Sequence, residues 1–233
     1  MTESEYRLWA DPSLDPSPLR PALIWAEGID PPTPKEDPHP ALAEVIERVQ
    51  AAGEEFVPAE MRRRVRGMLR YGKYKPSGRG KPASEFLLRA ALGGTFPRVN
   101  GPVDVNNLVS LESGLPGSIF DTALSGRVLR LRRGRPGESY VFNPSGQSID
   151  LADLLLVCRE TDEGWTPCGN PVKDSMATKI GSETRDVVAV LYAPADEPEP
   201  SVERWAMRFA DLLGDHCGAR VVGVRVGFDA EVG

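Results

Sequence analysis

Histidine is almost missing from this chain: among 233 residues only His39 and His216 occur. His39 falls in a Pro-rich loop and His216 near a helix end, so a His-centred catalytic triad or a His-rich metal site is a poor fit. Cysteine is equally sparse. Cys158, Cys168 and Cys217 are odd in number and show no CxxC spacing, which argues against a disulfide framework and against zinc knuckles. No metal or other cofactor is expected. No apolar run approaches the ~18 residues that span a bilayer, and the first residues are acidic rather than basic and apolar, so a cytoplasmic protein is expected. Glycine-rich phosphate loops are also lacking: GRGKP has neither the spacing nor the helix start of a P-loop, and no GxSxG elbow surrounds Ser175.

What is present is a sharp segregation of charge under a formal net charge of −6. Residues 1–60 carry thirteen acids against four bases, whereas residues 61–89 carry ten bases against Glu85 alone. A second cluster, Arg127 to Arg135, holds five Arg and no acid. Such a distribution predicts a basic face for phosphate. Pairing between the acidic N-terminal part and the basic helix is the alternative.

Hydrophobic periodicity gives an α+β chain, helical first and sheet-rich later. Residues 1–40 are rich in proline, with Ala22, Ile24 and Trp25 as a short strand and PPTPKEDPHP as a linker. Pro40 to Gly53 and Pro58 to Leu69 read as helices, the second strongly basic. Ala83 to Leu92 reads as a third, with Ser84 as its cap and Phe86, Leu87 and Ala90 as its buried side. Val103 to Leu111 is helix or strand, with spacing that favours helix. From Gly126 onward VLRLRRG, SYVFNP, LLLVCRE and VVAVLYAP are short β-runs. PADEPEPS is an acidic linker, followed by a helix from Val202 to Leu213 and a final strand, ARVVGVRVGF. The predicted organisation is an N-terminal extension and helix packed on the main body (1–60), the main domain (61–194), and a C-terminal helix and strand completing it (195–233).

Two polar stretches stand out. Lys81 to Asp121 sets Asp104, Asn106, Asn107, Ser110 and Asp121 in an apolar run that normally excludes such groups unless they are hydrogen-bonded or serve a pocket. Pro171 to Thr184, PVKDSMATKIGSET, looks like its partner. If the first stretch is helical, Asp104, Asn107 and Ser110 lie along one flank. They form either a pocket floor or local helix caps. Asp174, Ser175 and Thr178 form either a loop that binds an anion or positions water, or an ordinary turn.

These residues carry a family resemblance. Lys81–Pro82–Ala83–Ser84, Leu87–Leu88–Arg89, Pro97–Arg98–Val99–Asn100, Val103 to Asn107, Ser110–Leu111, Phe120–Asp121 and the DS..T...ET pattern of Asp174, Ser175, Thr178 and Glu183–Thr184 resemble the B3/B4 domain. The likeness covers roughly Arg64 to Ala193. That domain is the editing module of the bacterial phenylalanyl-tRNA synthetase β subunit and also occurs free-standing. The resemblance implies a body of mixed β-sheets flanked by helices that takes the aminoacylated end of tRNA. It further implies a trans-acting deacylase of mischarged aminoacyl-tRNA. In that reading Asn106, Ser118, Asp174, Ser175 and Thr178 are the catalytic candidates, with Asn100, Asp104, Asn107, Ser110 and Asp121 forming the substrate pocket. Arg62, Arg63, Arg66, Arg70, Lys73 and Lys75, with Arg79, Lys81, Arg130 and Arg132, would meet RNA phosphates, and Tyr71 and Tyr74 would stack on an unpaired base. The chain departs from the synthetase module where Asn106 replaces a Thr and Ser118 replaces a catalytic-site His. Tyrosine specificity does not carry over. A non-catalytic tRNA-binding module and a free amino-acid binder are the alternatives.

Overall fold

A computed structural model describes residues 5–32 and 39–230. In chain order the elements are β1 (Arg7–Ala10), β2 (Leu19–Glu27), α1 (Pro40–Ala52), α2 (Ala59–Leu69), α3 (Ala83–Leu92), α4 (Gly101–Ser113), β3 (Gly117–Asp121) and α5 (Thr122–Ser125). They continue as β4 (Val128–Arg133), β5 (Ser139–Val141), β6 (Ser148–Asp150), β7 (Leu155–Thr161), β8 (Gly164–Gly169), β9 (Asp186–Pro194), α6 (Glu199–Cys217) and β10 (Val221–Val226). This is the α+β body expected. The linker PPTPKEDPHP lies mostly outside the described residues.

Two four-stranded sheets, in the orders β1-β4-β7-β8 and β10-β2-β9-β3, share one buried core, and β5 pairs with β6 as a separate hairpin. The strand β9, DVVAVLYAP, is buried from Val187 to Pro194, the continuous apolar run of a strand covered on both faces rather than an alternating one. It sits between β2 and β3, while α4 and α6 pack against this sheet.

The N-terminal segment is more than an extension. The strand β1 pairs in parallel with β4, and β2 runs nine residues between β10 and β9. Proline in an interior strand is tolerated here for a local reason. The Pro21 carbonyl accepts from Gly227 N at 2.8 Å, so the nitrogen that lacks a hydrogen points to the side where β10 has already ended. Residues 5–32 thus belong to both sheets.

Three local expectations shift. The helix α3 begins from Pro82 with no side-chain cap, and Ser84 is buried instead. Phe86, expected on the buried side of α3, is 63% exposed. The acidic linker contracts to a turn in which Glu197 is buried and holds Arg64 at 2.7 Å. The ambiguous stretch is helix α4, with Asn100 Oδ1 accepting from Val103 N at 3.2 Å to cap it.

Because β2 is structural, Leu23→Ala should lower the free energy of global urea unfolding by about 3 kcal/mol, the usual cost of a buried large-to-small change. An unchanged global transition, with only a local loosening, would contradict this placement.

Candidate functional site

A cavity of about 620 Å³ opens between α3, the N-terminal half of α4, β3 and the 169–180 loop, with Phe142 of the hairpin at its mouth. Leu87, Val103, Ile119, Val172, Met176 and Ile180 give it apolar walls. Asn106, Asn107, Asp174 and Ser175 put polar groups inside, and Arg79, Lys81, Arg89, Lys173 and Lys179 surround it with cations. The two polar stretches of the sequence therefore do meet at one cavity.

The floor is built on β3. Ser118 is fully buried, and its hydroxyl donates to Asp174 Oδ1 at 2.6 Å while lying 2.9 Å from the Tyr192 hydroxyl of β9. The Ile119 N–H donates to Asp174 Oδ2 at 3.3 Å. Burial still dominates: it pushes the Asp174 carboxyl up to about 7, although the Ser118 hydroxyl and the Ile119 and Asn170 N–H groups favour the anion. Tyr192 and Tyr140 are raised well above their ordinary range, chiefly by burial, so both keep their protons.

Asn106 is the second floor group. Its Nδ2 donates weakly to the Gly117 carbonyl at 3.4 Å, while Oδ1 is buried with no partner. A buried acceptor left unsatisfied costs about 1–3 kcal/mol unless something fills it, and Asn106 lines the cavity. Two glycines allow the close approach: a Cβ at Gly117 of β3 would lie 2.6 Å from Asn106 Oδ1, and one at Gly169 of β8 would lie 2.5 Å from the Phe120 ring and 2.7 Å from Asp174 Oδ1.

The remaining candidates separate by role. Asn107 and Ser175 line the cavity. Ser175 Oγ also accepts from Ala177 N at 3.1 Å, capping the following turn. Thr178 is buried and its hydroxyl donates to the Cys168 carbonyl at 3.4 Å. Asn100 caps α4, and Asp104 takes the Val99 N–H at 2.8 Å with Arg98 3.6 Å away, so these two secure the entry to α4. Asp121 holds the Thr184 hydroxyl at 2.5 Å and the Ala123 N–H at 2.8 Å, tying the two polar stretches together. Ser110 is buried behind Gly117, its hydroxyl unpartnered.

Sequence reasoning missed Asn170, Tyr140 and Tyr192. Asn170 Oδ1 accepts from Val172 N at 2.8 Å and Lys173 N at 2.9 Å, and its Nδ2 donates to the Tyr140 hydroxyl at 2.6 Å. This Asx-type turn presents Asp174. The Asn-Pro dipeptide was a readable turn signal; nothing in VVAVLYAP distinguished Tyr192 from a core tyrosine.

The basic residues divide as well. Arg62 faces Glu54 at 3.6 Å, Arg63 pairs with Glu60 at 2.5 Å, and Arg66 pairs with Glu85. Arg132 is 3% exposed and bonded to Glu138, so it lies inside the body and not on a basic face. Arg130 lies 4.6 Å over the Trp165 ring. Arg70, Lys73, Lys75 and Arg79 are exposed, and Lys81 is half-buried. Tyr71 carries the Arg133 guanidinium 4.4 Å over its ring, and Tyr74 bonds the Gly80 carbonyl.

The three cysteines are buried and form no disulfide, and burial pushes the Cys158 thiol up to about 12 and the Cys168 thiol well above its ordinary value, so these two lack the character of a nucleophile. Among the described residues no three His, Cys, Asp or Glu side chains converge on a metal position, and no helix is long and apolar enough to cross a membrane.

Comparison with known proteins gives two findings. A family model described as the B3/4 domain matches residues 77–197, just over half of the chain and including the whole cavity floor. Among solved structures, an N-terminal fragment of the phenylalanyl-tRNA synthetase β-subunit from Pyrococcus horikoshii is similar with a TM-score of 0.47 and 10% identity, over 96% of this chain and 51% of that one. The chain spans about half the length of that fragment. No curated protein matches.

The raised Asp174 carboxyl has a consequence for stability. Between about pH 4 and pH 7 the folded state keeps a proton that the unfolded state has lost, so stability falls as pH rises through this window and levels off above it. Three units correspond to about 4 kcal/mol at most. Asp174→Asn should therefore be more stable than the parent at pH 8, with the gain shrinking towards pH 4. Denaturant melts at both pH values check this, and equal stability at pH 8 would contradict the raised Asp174 carboxyl.

Proposed function

The chain belongs to the B3/4 domain family, and on that premise we propose that it is a trans-acting editing hydrolase that cleaves the ester of a mischarged aminoacyl-tRNA. The observation that carries this reading is Asp174: a carboxyl poised near neutrality on the floor of a cavity whose rim is cationic. A group with a pKa near the working pH is suited to move protons in both directions.

In this mechanism the Asp174 carboxylate takes a proton from water as the water oxygen attacks the ester carbonyl carbon. The bond to the ribose oxygen then breaks, and Asp174 returns the proton to that oxygen, leaving a free amino acid and a ribose hydroxyl. An aminoacyl ester is already activated, so holding water and ester together supplies much of what is needed. Asn106 and Ser175 line the same cavity and are the polar side chains offered to the amino acid. Ser118 acts through Asp174 and is a positioning residue. Exposed Arg70, Lys73, Lys75 and Arg79, with half-buried Lys81, form the path for the RNA backbone, the last two at the cavity itself.

The second reading is a tRNA-binding module without catalysis. It is favoured by Ser118, which is fully buried where the family resemblance expects a histidine. Incubation with a panel of mischarged tRNAs separates the two. The hydrolase reading expects at least one amino acid to be released faster than in buffer, at a rate that rises through about pH 7 as Asp174 ionises. Asp174→Asn should slow it about 10²–10⁴-fold, the usual range for a lost acid/base group. Salt-dependent tRNA binding with no release on any substrate would leave the second reading.

A further inference from the structure

The helix α3 buries Leu87 and Leu88 yet exposes Phe86, which is 63% accessible at the cavity mouth. Phe86 lies off the buried stripe of Ser84, Leu87, Leu88 and Ala91, so its ring is left open to a ligand. Its surroundings define which. Arg89 lies one turn along the same flank, and Arg79 and Lys81 arrive from the preceding loop at the same mouth. Neither these three nor Lys179 makes an ion pair among the described residues. Val99, also exposed, extends the apolar surface. An aromatic face ringed by unpaired cations matches a ligand that carries a π face and a negative charge together. A purely apolar partner segment would leave those cations desolvated and unpaired.

We propose that Phe86 is the stacking platform for the terminal unpaired nucleobase of an RNA 3′ end, with Arg79, Lys81 and Arg89 contacting the adjoining phosphates. This inference rests on the RNA reading above and names a residue that the sequence placed in the core. Base stacking of this kind is sequence-tolerant, and the phosphate contacts make binding salt-dependent.

The test uses an RNA minihelix with a short unpaired 3′ tail carrying 2-aminopurine at its last position. The full chain should quench the fluorescence on binding. Phe86→Ala and Phe86→Leu should lose the quench and weaken binding about tenfold, within the range measured for removing one aromatic–base stack. Phe86→Trp should keep both. If the parent binds the RNA but Phe86→Ala binds equally well with the same quench, the platform is refuted while the RNA reading stands. If the parent binds no RNA, both fall. If 2-aminopurine riboside monophosphate alone binds as tightly as the minihelix, the assignment to an RNA end is overturned.

Discussion

One carboxyl partly withdrawn from water, at the wall of the cavity, sets the terms for the rest of the site. Asp174 sits against β3 with the Ser118 hydroxyl on one oxygen and the Ile119 N–H on the other, and Tyr192 backs the serine from the central strand. Three donors are too few to offset the desolvation, so the proton is held loosely near neutrality. That balance requires both sheet strands, the Asn170 turn that presents the loop, and two glycines where no Cβ fits.

The fold explains why the balance can be held. The strand β9 is buried along nearly its whole length and carries Tyr192 in register with the residues of β3, Gly117 facing Leu191 and Ser118 facing Val190. The strand β2, from the N-terminal part, clamps β9 from the other side. Strands therefore hold the acid, whereas the outer cavity lining comes from the loop before α3, from α3 itself and from the hairpin.

Much of this was legible in the sequence, and the failures have physical causes. Pro40 with Gly53 marked α1 to within a residue, and the alternation in VLRLRRG marked β4. The ambiguity of α4 follows from burial of most of its residues, Asp104, Asn106 and Ser110 included, which removes the periodic signal. The strand β2 looked short because of Pro21, whose nitrogen happens to face the end of the ladder. Phe86 was misplaced because it was grouped with Leu87 and Ala90, whereas the buried stripe runs through Ser84, Leu87, Leu88 and Ala91 and leaves position 86 outside it. The polar runs pointed to Asp174, Asn106 and Asn107 as neighbours, but not to Tyr192, because a hydrogen bond between two strands leaves no trace in local pattern. Charge segregation was visible too, yet the acids that answer Arg62, Arg63 and Arg66 lie nearby in space as well as in sequence, leaving the cations nearer the cavity for a ligand.

Asp174 is a partly buried acid poised near neutrality, and its ionisation can be observed without any substrate. Carboxyl ¹³C NMR of the selectively labelled protein, assigned with Asp174→Asn, should show the Asp174 signal titrating near 7, well above the ordinary aspartate range. Adding a non-hydrolysable aminoacyl-adenosine analogue should lower that value as an ammonium group approaches the carboxylate. An Asp174 signal that titrates with the exposed aspartates would contradict the account.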